Sequence, residues 1–276
     1  MPRIAQANMP RQFAREYFRE IKRLMETHRR QVWQAFQKEI RPRIHLYRQM
    51  MAGPTGNTMR LRANDALDEV RDILARLRES AEKQIFSTSI LERFARQFAK
   101  QTSDYSRINL KKQVSKVLGF DPTANEPWLA SFLETVTQEN VKWIKSIATE
   151  YHNEVESVVL QGMRRGESIT KMAEEIASAG DVSLSRARFI ARDQMGSLYG
   201  ELTKKRQENA GLERFWWSTS GDSRVRHSHE DLDGKIFTWA EGALVDGKRI
   251  WPGTDYNCRC VAEVVFEDLL EVAGDE

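Results

Sequence analysis

Two short stretches hold the residue types best suited to chemistry. "NCRC" (257–260) contains both cysteines of the chain, Cys258 and Cys260, and "GDSRVRHSHEDLDG" (221–234) contains His227 and His229, two of the five histidines. On an extended strand, residues i and i+2 face the same side, so each pair presents two donors together. Two thiolates and two imidazoles would close a tetrahedral zinc site, structural because no position stays open. The same residues fit a second reading, two buried thiols beside a hydrogen-bonded histidine, since free cysteine is among the most buried residue types. A Cys258–Cys260 disulfide is disfavoured, because its ring is tiny and the Cα separation along extended backbone lies near the upper limit.

The second stretch also sets Asp222, Arg224, Arg226, Glu230, Asp231 and Asp233 around the two histidines. Histidine beside carboxylates is the raw material of a metal-dependent nuclease or hydrolase, which further needs a positioned base and open metal positions. The competing reading is a loop held by an Asp222–Arg226 pair, with His229 donating to backbone, because ion-pair networks produce such clusters too. The sequence contains no phosphate-binding P-loop, no dinucleotide fingerprint and no G-x-S-x-G nucleophile motif. A cysteine nucleophile would need His229 beside Cys258 or Cys260, and the two-residue spacing next to a Trp-rich stretch favours a structural role.

The elements that must position these residues are mostly helical. "RQFAREYFREIKRLMETHRRQVWQAFQKEI" sets Phe13, Tyr17, Ile21, Leu24, Met25, Val32 and Phe36 at helical spacing. "RPR" (41–43) and "AGPTGN" (52–57) read as breaks. A second helical stretch is expected between Asn64 and Lys100, and "FDPTANEP" (120–127) is a loop from which Asn125 caps a long helix with Pro127 in its first turn. That helix is expected to stop near Gly162–Gly166. A short helix then runs from a Ser168 N-cap to Gly180, and a further one from a Ser183 cap to Gly211.

The texture changes at Gly211. "ERFWWSTS" reads as a strand with only one of Trp216 and Trp217 buried. Asp246-Gly247 between apolar flanks signals a hairpin, and "CRCVAEVVF" is strand-like. Four of the seven tryptophans fall in this last quarter, enough aromatic area to build a small core. The expected fold class is therefore mainly α with a small C-terminal α+β module. The expected organisation is a basic helical region (1–123), a helical body (124–210) and the module (211–276), in which His229, Cys258 and Cys260 come together.

The run "RARFIARDQMGSLYGELTKKRQENAG", then "FWWSTSGDSRVRHSHEDLDGKIF", then "PGTDYNCRC" resembles the phage Mu F-like head morphogenesis proteins, also called minor head or minor capsid proteins. The likeness covers roughly residues 183–266. It implies that Asp222, Arg224, Arg226, His229, Gly234, Pro252, Gly253, Asn257, Cys258 and Cys260 are the family positions and that His227 is not. If zinc binds, the resemblance makes His229, Cys258 and Cys260 the ligands, with Asp222 or His227 fourth. It also implies a non-enzymatic virion-head protein, present in the host cytoplasm during assembly. Its expected partners are the portal protein and the major capsid or scaffolding protein, and its expected role lies in head assembly, genome packaging or genome delivery. Some members carry toxin domains after this module; here a short acidic tail follows Phe266.

Net charge is +3, but residues 1–50 hold twelve Lys/Arg against four Glu. Arg15, Arg19, Lys22, Arg29 and Arg30 form a positive face suited to double-stranded DNA without sequence preference, or to an acidic protein surface. A zinc-stabilised DNA-binding module is the third reading. No apolar run approaches the ~20 residues needed to span a bilayer, and the first residues lack the apolar core of a secretory leader. The expectation is synthesis in the cytosol.

Overall fold

A computed structural model describes residues 9–52, 57–118, 121–265, 267, 268 and 270. The acidic tail beyond residue 270, the first eight residues and the middle of the 52–57 break lie outside it. Ala14, Tyr17, Ile21, Leu24, Met25 and Val32 are all buried, the stripe that makes helix α1 (Arg11–Ala35). The expected break at "RPR" does not end the helical run. A π turn, Phe36–Ile40, leads straight into α2 (Arg41–Ala52), with the Arg41 N–H bonded to the Phe36 carbonyl. Proline lacks an N–H, and its ring presses on the carbonyl four residues back. The wider π turn gives Pro42 that room.

The single stretch expected over 64–100 is two helices, α3 (Asn57–Gln84) and α4 (Thr88–Leu118). They meet at Ser87, whose carbonyl accepts the Ile90 and Leu91 N–H groups. Helix α5 (Leu129–Arg165) begins three residues after Glu126. In the preceding loop Asp121 holds the Thr123 backbone and hydroxyl at 3.0 and 2.6 Å. Helix α5 ends at Gly166 (φ 69°), where Glu167 N–H returns to the Gly162 carbonyl. The Ser168 hydroxyl then caps Lys171 N–H at 3.0 Å.

The two helices expected next are one, α6 (Ile169–Asn209), 41 residues long. Gly180 lies inside it beside the Arg29 guanidinium, which a Cβ there would meet at 2.3–2.8 Å. Ser183 caps nothing and donates to the Ala179 carbonyl one turn back.

After Gly211 (φ 74°) come β1 (Arg214–Ser218), the single turn α7 (His227–Glu230), β2 (Ile236–Thr238), β3 (Ala243–Val245), β4 (Lys248–Ile250) and β5 (Val261–Val264). Strand β1 is the middle of an antiparallel sheet ordered β2-β1-β5, and β3 pairs with β4. Asp246 and Gly247 make the hairpin turn, both at positive φ.

By contact the chain groups into two units: Met1–Tyr17, Ala95–Asn140 and Phe189–Glu276; and Phe18–Phe94 with Val141–Arg188. These differ from the three sequential regions expected. In the first unit, Arg206 is buried in a forked ion pair with Glu126 (2.7 and 3.0 Å) and also bonds Ser103. Leu110, Val114 and Leu118 pack there with Leu212 and Val264. In the second unit the core is formed by Ile21, Met25, Phe36, Ile40, Val70, Leu74, Ile144, Ile147 and Val155. Among the described residues no helix is long and apolar enough to cross a membrane.

Candidate functional site

The loop from β4 to β5 is seated on α6 by glycines. A Cβ at Gly196 would meet the Cys258 carbonyl at 2.7 Å, and one at Gly200 the Pro252 carbonyl at 2.3 Å. From the opposite side, Gly253 (φ 89°) faces the Gly196 carbonyl. Each helical glycine costs roughly 1 kcal/mol against alanine, and close approach of the loop is what it permits. Asp193, on the same helix, accepts the Asn257 N–H at 2.8 Å. Burial raises its carboxyl pKa, with that hydrogen bond opposing.

So anchored, the loop delivers both thiols to one imidazole. Cys258 Sγ and Cys260 Sγ each lie 3.6 Å from His229 Nδ1. All three residues are buried, at 3–4% exposure. Among the described residues they are the one group of three or more metal-ligating side chains, with ligand atoms within 4.8 Å of one another. The far side of the imidazole, Nε2, sits 3.4 Å from the Asp255 carboxylate without the alignment of a hydrogen bond. Asp255 is gripped by Arg226, which also bonds the Tyr256 carbonyl. Trp217, fully buried, stands edge-on to His229, with ring centroids 5.6 Å apart.

These contacts set the proton balance. The Cys260 S–H and the His229 ring pull the Cys258 thiol well down against burial, while the bond to Cys258 and burial push Cys260 up. His229 is raised by its bond to Cys258, against burial, with Asp255 adding to the rise. The donor set fits a tetrahedral metal. Zinc–sulfur and zinc–nitrogen bonds at tetrahedral angles put S and N about 3.6 Å apart. A carboxylate behind the second imidazole nitrogen is the usual way to fix a ligating histidine. The chain would supply three donors to such an ion, with Asp255 behind the ring.

The remaining expected residues lie elsewhere. His227 is fully exposed and pairs with Glu230 at 3.1 Å, so the symmetric site of two cysteines and two histidines does not form. Asp222 is taken up by Arg259 (2.5 and 2.7 Å) and Arg224 (2.8 Å), and its carboxyl is held far below the usual range, chiefly by Arg259. It pairs with these two arginines, not with Arg226 as expected, and it is no ligand. Asp233 accepts the Thr219 N–H at 2.7 Å, so the acids around the histidines are dispersed over separate partners. Of the structural-motif positions, Gly234 (φ 70°) turns the chain into β2, with its N–H on the Trp217 carbonyl.

A family model, described as Phage Mu protein F like protein, matches residues 153–263. Over these residues the chain is similar to the phage Mu F-like family. The Mu F-like stretch includes His229, Cys258, Cys260, both helical glycines and Asp193. An uncharacterized protein of Haemophilus influenzae is 34% identical over 188 residues, 67% of this chain and 41% of that protein. The minor head protein GP7 of Bacillus phage SPP1 is 28% identical over 130 residues, 43% of this chain and 42% of that one. An NAD(+)–arginine ADP-ribosyltransferase of Enterococcus faecalis is 30% identical over 132 residues, 44% of this chain and 27% of the enzyme. The chain thus spans less than half of each of these relatives. No solved structure matches it.

Sequence reasoning missed four residues of the Mu F-like site: Asp193, Asp255, Gly196 and Gly200. Arg259, between the two cysteines, points away from them to Asp222. Its place in N-C-R-C is a signal that a partner carboxylate was needed.

Proposed function

We propose that the chain is a minor head protein of a phage particle, acting in head morphogenesis, DNA packaging or genome delivery without catalysing a reaction. The observation that carries this reading is the match to the Mu F-like family together with the likeness to a protein named as a phage minor head protein. Within it, His229, Cys258 and Cys260 hold a structural zinc ion that ties the β4–β5 loop to α7. Three protein donors leave a fourth position unfilled by the described residues; burial of all three donors keeps that position from substrate, which supports a structural role. Elemental analysis of protein purified without chelator tests the metal. About one zinc per chain is expected, absent from Cys258→Ser and Cys260→Ser; wild-type protein free of metal would leave thiol–imidazole packing alone.

The partners proposed are the portal protein and the capsid or scaffolding protein, met in the virion head after assembly in the host cytoplasm. Helix α1 keeps Arg15, Arg19, Lys22 and Arg30 exposed, a face suited to phosphates of double-stranded DNA or to an acidic protein surface. Arg29 differs: it is half-buried and bonds Asp181 at 3.0 Å. Changing Arg15, Arg19 and Arg30 to Gln should lower DNA affinity and flatten its salt dependence, the log–log slope falling by about one for each phosphate left without its cation. Portal association that falls instead, with wild-type DNA binding undetectable near physiological salt, would assign the face to protein.

A further inference from the structure

Four helices of the second unit line a half-open cavity of about 320 Å³. Its walls include His28 of α1, Arg78 of α3, Thr88 at the start of α4, and Lys145, Thr149 and His152 of α5. The two histidines sit where an apolar residue would be expected: His28 continues the stripe of Ile21, Leu24 and Met25, and His152 that of Ile144, Ile147 and Val155. They are 1% and 2% exposed, with rings parallel within 15° and centroids 6.0 Å apart. His28 Nδ1 and both nitrogens of His152 have no hydrogen-bond partner among the described residues, and neither does the buried Nε of Arg78. The His152 ring approaches the Leu74 carbonyl, short of hydrogen-bond geometry. Burying polar groups unpaired is unfavourable, so this set is better explained by a ligand it is built to receive.

The charges beside it decide the sign of that ligand. Arg78 and Lys145 both line the cavity, where the one lining carboxylate is the exposed Glu82; Arg78 also bonds Asn153 and lies 3.6 Å from Glu156, which balances part of its charge from outside the lining. Lys145 is steered toward the α4 terminus by its bond to Thr88 Oγ1 at 2.7 Å. The first turn of the 31-residue α4 carries no acid, which leaves the positive end of its dipole uncompensated. Two cations and a helix start repel a metal ion and attract an anion. We propose that this cavity binds a phosphoryl group, clasped at the rim by Arg78 and Lys145 and met from the floor by N–H groups of His28 and His152. The cavity has room for inorganic phosphate or for a phosphomonoester of small-molecule size. Burial lowers both histidines to about 4, so the floor is neutral near pH 7 and an anion bound there would draw protons onto it.

The test uses the full chain in phosphate-free buffer. Inorganic phosphate and a nucleoside monophosphate are titrated separately by calorimetry, at matched ionic strength, in two buffers of different ionisation enthalpy. Saturable binding with net proton uptake is expected, and nitrogen-detected imidazole spectra should shift two of the five histidines. Arg78→Gln and Lys145→Gln, both at the rim and compatible with folding, should each weaken binding by about tenfold or more. The tighter of the two titrants names the source of the phosphoryl group. No saturable heat at millimolar phosphate would overturn the site, leaving a cavity filled by water. Binding unchanged in both rim variants would overturn it equally, since the anion would then lie elsewhere.

Discussion

His229 is gripped on both edges of its ring, by two sulfurs at Nδ1 and by a carboxylate near Nε2. The third contact is the face of the pocket, Trp217, which the pleat of β1 turns inward while Trp216 stays half-buried. Truncating Trp217 to Ala should therefore cost about 3–5 kcal/mol, and Trp216→Ala well under half of that. Denaturant titration followed by the reactivity of Cys258 and Cys260 reads the effect locally, because neither cysteine forms a disulfide and both are buried in the native state. Small, equal effects would mean that β1 is not a half-buried strand. The pairing of Cys258 with Cys260 was legible from their spacing, and that of His229 with them from the family pattern; the strand assumed for the histidines is instead the turn α7, which leaves His227 in solvent. Asp255 and Asp193 were not, because their roles depend on where a loop lands on a helix far away in sequence. Nothing local in "GTDYN" distinguishes a carboxylate that orients an imidazole from one that faces water.

Glycines separate the legible elements from the others. Gly166, Gly211 and Gly247 all stand at positive φ and end or turn an element, and the sequence reading placed breaks at each. Gly180, Gly196 and Gly200 lie inside α6, where only a neighbour's approach explains them. A sequence shows the residue but not the neighbour, which is why α6 was divided at Gly180. The neighbours differ, and so should the variants. A Cβ at Gly200 meets backbone, the Pro252 carbonyl at 2.3 Å, whereas one at Gly180 meets the far end of the flexible Arg29 side chain. Gly200→Ala should destabilise by about 1–3 kcal/mol or more through overpacking. Gly180→Ala should be neutral or stabilising by up to about 1 kcal/mol through helix propensity. Thermal melts of the two variants check the contrast; equal destabilisation would show that Arg29 has no room to move. Pro42 teaches the same lesson in reverse: its break signal was real, and a π turn absorbed it.

For the whole molecule, the grouping by contact cuts across chain order. The small sheet belongs with residues 189–210 and with the distant stretch 95–140. The strand-rich texture after Gly211 was visible in the sequence, but its dependence on Gly196, Gly200, Leu110 and Val114 was not, because helical stripes do not name their partners. Residues 211–276 made alone should therefore lack native circular dichroism and leave Cys258 and Cys260 open to thiol reagents. A folded, thiol-protected fragment would mean that the seat on α6 is dispensable. The topology of that sheet also fixes an order of events during synthesis. Strand β1 lies in the middle, yet Ser218 must wait for Val261, its partner in β5. Translation at several residues per second makes that a wait of some seconds. For that interval Trp217 and His229 exist without their cover, and Cys258 and Cys260 are the last pieces to close it. A ribosome that stalls between "DLDG" and "NCRC" would thus release an aromatic surface with no lid, the form of this chain most exposed to aggregation and to cellular quality control.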